Sequence, residues 1–133
     1  MSPKFVMITL GTWFVFMVFA IINAIIRQGV FSSFLSELRA HQLSTFTLMI
    51  LFLIITYVVF RFTDISLSDN QAFFVGTVWL VLTISFEFLA GHFVFGNPWE
   101  KLFADYNVFM GRIWILIPLT TFVAPYLIKK ILE

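Results

Sequence analysis

Long apolar runs separated by short polar segments dominate the chain. A helix needs about 20 apolar residues to cross about 30 Å of hydrocarbon, and flanking Tyr, Arg and Lys side chains can extend a shorter run. Lipid offers no hydrogen-bond partners, so a spanning segment is a helix or part of a closed barrel, and these runs lack the alternation of barrel strands. The pattern predicts an all-α membrane protein with four transmembrane helices in an antiparallel bundle, at about residues 5–26, 43–60, 72–94 and 112–128.

The polar segment between the second and third runs, residues 61–71, is short enough for a turn between antiparallel helices. Ser68 followed three residues later by Gln71 is the signature of a capping box, in which each side chain bonds the other residue's backbone N–H. We therefore expect this pair to open the third helix.

Residues 97–106 form a connector of another kind, with apolar residues at helical spacing. Asn97 suits the N-cap, Pro98 the first helical position and Glu100 the third. One face of the resulting helix would carry Trp99, Leu102, Phe103 and Tyr106. The spacing predicts a short amphipathic helix at about 98–105 that lies flat in the membrane interface.

The connector between the first and second runs repeats this spacing and predicts a second interfacial helix at about 30–40, with a face made of Phe31, Phe34, Leu35 and Leu38. Four spans would place both interfacial helices on the same side of the membrane. Four Lys or Arg residues flank the spans on each side, so the positive-inside rule does not decide the orientation. The first run has no small-residue cleavage site, and an uncleaved N-terminus favours the cell membrane with both termini in the cytoplasm.

Composition supports the membrane class. Hydrophobic residues make up 61% and charged residues 11% of the 133 residues, against about 45–50% and about 25% in soluble domains. The length leaves room for one transmembrane domain over residues 1–133. The net charge of +1 excludes a nucleic-acid footprint, and the absence of cysteine excludes thiolate sites. Membrane lipids are the expected partners, with a second copy of the chain as a further candidate.

Chemistry-capable side chains concentrate on the side of the two amphipathic connectors, which we call the polar pole. Glu87 is the least expected, because an ionisable group inside a transmembrane run is costly and normally faces a partner. Arg27 and Arg112 are the candidate partners. We predict a ligand-binding or buried polar cluster made of Asn23, Arg27, His41, Glu87, His92, Trp99, Asp105, Tyr106, Asn107 and Arg112.

Three interpretations of Glu87 stay open at this point: an ion pair that fixes helix registry, a group that handles a ligand, ion or proton, and a carboxylate that reaches water. Glu37 and His41 share a helix face, but no HExxH or paired ExxH motif accompanies them, so no metal is assigned. Elbow motifs and a catalytic cysteine are absent as well, and we assign neither a catalytic residue nor a cofactor.

Several stretches resemble a known family. They are NAIIR at 23–27, AHQLST at 40–45, FEFLAGHFVFGNPWEKLFADYN at 86–107 and GRIW at 111–114. Together they are similar to a functionally uncharacterised family of small four-helix prokaryotic membrane proteins. The resemblance implies four transmembrane helices and draws attention to Glu87, Trp99, Glu100, Asp105, Tyr106, Asn107 and Arg112. It implies no substrate, cofactor or reaction.

The sequence thus favours a non-enzymatic membrane protein that binds, or permits the passage of, a lipid or small ligand at the polar pole. The alternative is a structural or assembly subunit of a membrane complex, whose polar residues only fix helix packing. A membrane-embedded enzyme that acts on lipid head groups ranks third, because no catalytic constellation is present.

Overall fold

The structure is all-helical. The computed structural model describes residues 2–133, and this part of the chain contains no strand. Single 3-10 turns lie at Phe31–Ser33 and Val108–Met110. The α-helices are α1 (Pro3–Gly29), α2 (Glu37–Phe62), α3 (Asp69–Phe93), α4 (Trp99–Ala104) and α5 (Leu116–Leu132). Three stretches are long and apolar enough to cross a membrane: Pro3–Ser33, Glu37–Phe62 and Asp69–Phe93.

Serine side chains cap the first turns of α1, α2 and α3. The hydroxyl of Ser36 accepts a hydrogen bond from the Arg39 backbone N–H at 3.3 Å, and α2 begins directly after it. The predicted capping box is confirmed, with the Gln71 N–H donating to Ser68 Oγ at 3.2 Å and the Ser68 N–H donating to Gln71 Oε1 at 2.9 Å. These caps satisfy N–H groups that have no partner within the helix.

The long helices form a ring in which α1 packs on α2, α2 on α5, α5 on α3, and α3 on α1. The chain reverses between consecutive long helices, so α1–α2 and α3–α5 are antiparallel pairs. The two pairs lie side by side with α1 next to α3. This arrangement leaves α2 and α3, although joined by a short turn, diagonally opposite.

Aromatic side chains fill the middle of the ring. Phe16 stacks on Phe52 with ring centroids 4.4 Å apart, and its edge meets Trp79 at 4.9 Å. All three side chains are fully buried. Because lipid is itself apolar, these side chains stabilise a membrane bundle by close packing and by their ring contacts, which are worth about 0.5–1.5 kcal/mol per aromatic pair.

Two tryptophans bond α3 to α1 in the half of the bundle that contains the termini. Trp79 Nε1 donates to the Thr9 carbonyl at 2.8 Å, and Trp13 Nε1 donates to Thr83 Oγ1 at 3.2 Å. Beyond these bonds, toward the polar pole, both helices line a cavity. The site described below lies in this cavity.

The backbones of α3 and α5 approach each other closely at Gly76. A Cβ atom at this position would collide with the Phe122 carbonyl oxygen of α5. Nearby, Phe73 stacks on Tyr126 with ring centroids 4.9 Å apart. Glycine is required here because of contact with a neighbouring backbone and not because of its own dihedral angles.

The predicted interfacial helix at 30–40 is wrong. Only the 3-10 turn at Phe31–Ser33 lies in its first half, and residues from Glu37 onward form the first turn of α2. The Ser36 cap explains the difference, because it starts a helix that continues without interruption into the second apolar run.

Two further boundaries differ from the prediction. Helix α4 lies within the predicted 98–105, but its N-cap residue is Pro98 and no side chain caps it. The Asn97 side chain is instead the acceptor for Lys101 Nζ at 3.2 Å. Helix α5 starts at Leu116 and not at 112, because Gly111 adopts a left-handed φ of 80° and the following residues form a turn.

Candidate functional site

A cavity of about 590 Å³ lies at the polar pole, enclosed by all five helices and by the segments on either side of α4. Its wall near the middle of the bundle is apolar and includes Met17, Phe52 and Ile117. Its other wall is polar and includes Arg27, Glu37, His41, Glu87, Lys101, Asp105 and Tyr106. The size falls within the range of about 300–1,000 Å³ that is typical of small-molecule sites.

Glu87 is held by two neutral donors. Trp114 Nε1 donates to its Oε1 at 2.8 Å, and the Tyr106 hydroxyl donates to its Oε2. Each carboxylate oxygen thus has a partner, which reduces the cost of placing this group between helices. The expectation that Arg27 or Arg112 pairs with Glu87 is wrong, since within residues 2–133 neither arginine forms an ion pair with it.

Arg112 binds Glu37 instead. Its Nη1 and Nη2 lie 2.9 and 2.6 Å from the two carboxylate oxygens of Glu37, a two-pronged contact. This hydrogen bonding raises the pKa of the Arg112 guanidinium. One residue earlier, the Gly111 carbonyl accepts from Gln42 Nε2 at 2.9 Å. Both contacts fasten the segment before α5 to the first turns of α2, and so they position Trp114.

Arg27 and Asn23 connect α1 to α2. Arg27 Nη1 donates to Ser44 Oγ at 3.3 Å, and its guanidinium carbon lies 5.7 Å from the centroid of the Trp114 ring. Asn23 Nδ2 donates to the Ser44 carbonyl at 3.1 Å and its Oδ1 accepts from Thr47 Oγ1 at 2.9 Å. Asn23 is therefore buried between helices with a hydrogen-bond partner for both polar atoms of its side chain, whereas Arg27 lines the cavity.

His41 and Asp105 face each other across α2 and the end of α4. His41 Nε2 is 4.0 Å from Asp105 Oδ1, and the exposed fractions of the two side chains are 6% and 25%. The His41 ring also lies 5.0 Å from the Trp114 ring. Its Nδ1 is buried and has no hydrogen-bond partner in the described part of the chain. Burial raises the pKa of the Asp105 carboxyl against the opposing charges of Arg112 and Lys101.

Five predicted site residues lie outside the cavity wall: Asn23 and Arg112, described above, and His92, Trp99 and Asn107. His92 stacks on Trp99 with ring centroids 3.8 Å apart, and His92 Nδ1 is 2.9 Å from the Asn97 carbonyl. Asn107 is exposed, and its carbonyl accepts from the Arg112 N–H at 3.2 Å. These residues shape the segments around α4 and do not meet the central group.

The structure thus brings five of the predicted residues to the cavity wall: Arg27, His41, Glu87, Asp105 and Tyr106. Trp114 was missed, because a tryptophan near a membrane boundary normally serves as an interface anchor. It contacts Glu87, Arg27 and His41 and is the common neighbour of the cluster. Its place in the GRIW stretch, two residues after Arg112, is the one sequence signal that pointed to it.

Within residues 2–133, no group of three or more His, Cys, Asp or Glu side chains is placed to hold a metal ion. The chain matches no family model, no curated protein and no solved structure. The resemblance to small four-helix membrane proteins therefore stays a prediction, and the function has to be argued from the cavity.

Proposed function

We propose that this chain is a four-span protein of the cell membrane that binds the head of a lipid, or of another small amphiphile, in the polar-pole cavity. The observation that carries the proposal is the pairing of an apolar wall with a charged wall in one space. An amphiphile has the same two parts. A purely structural polar cluster needs no such volume, because packed interiors contain few voids larger than a water molecule.

The outer surface supports the membrane setting. Large apolar side chains on α1 and α2 point away from the ring, among them Met7, Phe14 and Ile50, which are 73%, 64% and 57% exposed. Helix α5 serves as the fourth span in this proposal. Its 17 residues extend about 26 Å at about 1.5 Å per residue, close to the thickness of the hydrocarbon layer. Lys129 and Lys130 at its end can reach the interface.

In this proposal α4 lies in the interface at the polar pole, with both termini on the opposite, cytoplasmic side. Leu102 of α4 is buried, whereas Trp99 and Phe103 of the same helix are 39% and 65% exposed. The exposed aromatic side chains suit a position among lipid head groups.

The cavity also has a route to the lipid. Ile25 of α1 and Phe95 after α3 line the cavity and are 64% and 55% exposed. Both therefore form a rim between the cavity and the outer apolar surface. A hydrocarbon chain that lies along this rim keeps contact with the membrane while its head occupies the polar wall.

A cavity-filling substitution tests the proposal. Ala24 lines the cavity, so Ala24→Phe should fill part of it, whereas Ile22→Phe places the same ring on the exposed side of the same helix. The proteins are purified in mild detergent, and bound lipid is counted by native mass spectrometry. We expect bound lipid in the wild type and in Ile22→Phe, and its loss in Ala24→Phe.

Equal lipid occupancy in all three proteins would refute cavity binding. If occupancy is equal and Ala24→Phe changes only the number of chains per particle, the assembly-subunit alternative gains support instead. Circular dichroism and size-exclusion chromatography of each variant show that the fold is retained.

A further inference from the structure

The charges that line the cavity are not equally available. Glu37 is occupied by the two-pronged contact with Arg112, and both oxygens of Glu87 already accept hydrogen bonds. Glu37 and Glu87 thus have hydrogen-bond partners within the protein, whereas the cations of the wall have few.

Arg27 is such a group. Its one side-chain hydrogen bond goes to Ser44 Oγ at 3.3 Å, and no carboxylate within residues 2–133 forms an ion pair with it. A guanidinium has five N–H donors, so most of them are left unused. Asp105 and Glu37 act on it through their charge but do not contact it, so a bound anion would be its first direct counter-ion and would offset the cost of its partial burial.

Two other residues of the cavity wall, Lys101 and His41, also have polar atoms with few or no partners. Lys101 of α4 also lines the cavity, and within the described residues it bonds only the neutral Asn97 side chain, at 3.2 Å. His41 lines the cavity too; it is only 5% exposed, and its Nδ1 has no hydrogen-bond partner in the described part of the chain. Unused donor capacity therefore lies along the polar wall on α1 and α4, and α2 adds a buried ring nitrogen without a partner.

We propose that Arg27 binds the acidic group of the ligand, a phosphate or carboxylate, with Lys101 as the second cation at the rim. This inference rests on the proposed function and names its ligand class, an anionic amphiphile. Trp114 contacts the guanidinium by a cation–π interaction, and Arg27 also lines the cavity.

Glu87 and Asp105 are the cavity carboxylates that have no arginine or lysine within 4.0 Å in the described residues, and both would repel such a ligand. Asp105 lies 4.0 Å from His41 and also acts on Arg27 through its charge. The acidic group of the ligand would therefore compete with Asp105 for Arg27, with the unused donors of the guanidinium available to it.

The test compares lipids that differ only in the head. Phosphatidic acid, phosphatidylcholine and diacylglycerol with identical acyl chains are titrated into delipidated protein in neutral detergent, and binding is measured by native mass spectrometry. The variants are Arg27→Gln, the charge-conserving Arg27→Lys, and Arg39→Gln. Arg39 is exposed at the same end of the bundle but does not line the cavity, so its substitution removes an equal charge away from the site.

We expect the wild type and Arg39→Gln to bind phosphatidic acid at least about 10-fold more tightly than diacylglycerol, as a charge-assisted hydrogen-bond pair implies. Arg27→Gln should lose this preference and keep its affinity for diacylglycerol, while Arg27→Lys keeps part of it. Inorganic phosphate is added as a competitor. If it displaces the lipid at millimolar concentration, a free anion is sufficient; if it does not, the hydrocarbon chain is part of recognition.

Equal affinity for all three lipids, lost in Ala24→Phe, would overturn the assignment to Arg27 and leave cavity binding intact. Loss of the preference in Arg39→Gln as strongly as in Arg27→Gln would also overturn it, because general surface charge would then explain the result. If Arg27→Gln does not fold, Lys101→Gln serves instead, with an expected loss of about 2–5-fold for an exposed cation. No binding of any lipid would refute the proposed function itself.

Discussion

Removing the Tyr106 hydroxyl tests whether Glu87 depends on neutral donors. Tyr106→Phe keeps the ring, which stacks on Phe88 at 5.5 Å, and deletes only the bond to Glu87 Oε2. A hydrogen bond is worth about 0.5–1.5 kcal/mol in soluble proteins, whereas polar contacts between membrane helices average about 0.6 kcal/mol. Tyr106 lies just after α4, between these two settings. We therefore expect the free energy of unfolding to fall by about 0.5–1.5 kcal/mol.

The assay is reversible chemical unfolding in detergent micelles, followed by tryptophan fluorescence. Tyr57→Phe is the matched control, since Tyr57 is 40% exposed on α2 and its hydroxyl has no hydrogen-bond partner within residues 2–133. The same measurement is repeated in the background Glu87→Gln. The amide of this variant would keep an acceptor oxygen for Trp114 but present an NH2 group in place of the oxygen that accepts from Tyr106, so the effect of Tyr106→Phe should shrink to less than about 0.5 kcal/mol.

A loss in Tyr106→Phe that matches Tyr57→Phe within about 0.3 kcal/mol would refute the assignment of Tyr106 as a donor to Glu87. So would an equal loss in the wild-type and Glu87→Gln backgrounds, because a bond between the two residues must appear as coupling between their substitutions.

Two other predictions concern helix packing and pH. Gly76→Ala should destabilise the protein by about 1–3 kcal/mol, because the new methyl group collides with the Phe122 carbonyl oxygen. Gly11→Ala is the control and should be neutral or stabilising, since a Cβ atom at this position would have nothing within 4 Å. Equal unfolding curves for the two variants would contradict the close contact between α3 and α5. Burial raises the folded-state pKa of Asp105 above the ordinary 3.8, so its contribution to stability is present below that value and is lost as the pH rises through the raised pKa. Asp105→Asn should therefore flatten the fall in stability above about pH 4, and an unchanged pH profile would count against burial of this carboxyl.

The polar cluster shows which part of a site a sequence can predict. The spacing of Glu87, Arg27 and Asp105 in the chain already placed them at one end of the molecule, because helices of known length fix depth in a membrane. Their partners did not follow from that argument. Charge complementarity favoured an arginine partner for Glu87. In the structure, however, Arg112 binds Glu37, 75 residues away, and Trp114 donates to Glu87.

Local sequence signals predicted the structure correctly where no second signal in the same segment competed with them. The Ser68–Gln71 capping box opens α3 as predicted, because both of its hydrogen bonds lie within four residues of chain. The stripe at 30–40 also had helical spacing, yet it was divided between a 3-10 turn and α2. Ser36, inside that stripe, caps α2 by accepting from the Arg39 N–H, and a short stripe cannot override a helix start that continues into a long apolar run.

Helical secondary structure and an apolar outer surface could be predicted from the chain alone, because backbone hydrogen bonds within each run and the excess of hydrophobic side chains depend on neighbours in the chain and on solvent. The cavity that α1 and α3 line at the polar pole could not be predicted, because it requires contacts between residues that are distant in the chain. Trp79 and Trp13 hold one end of this pair together, and the loop that carries Trp114 fills one side of the other. The cavity is what remains between them, and it depends on contacts between residues about 70 positions apart.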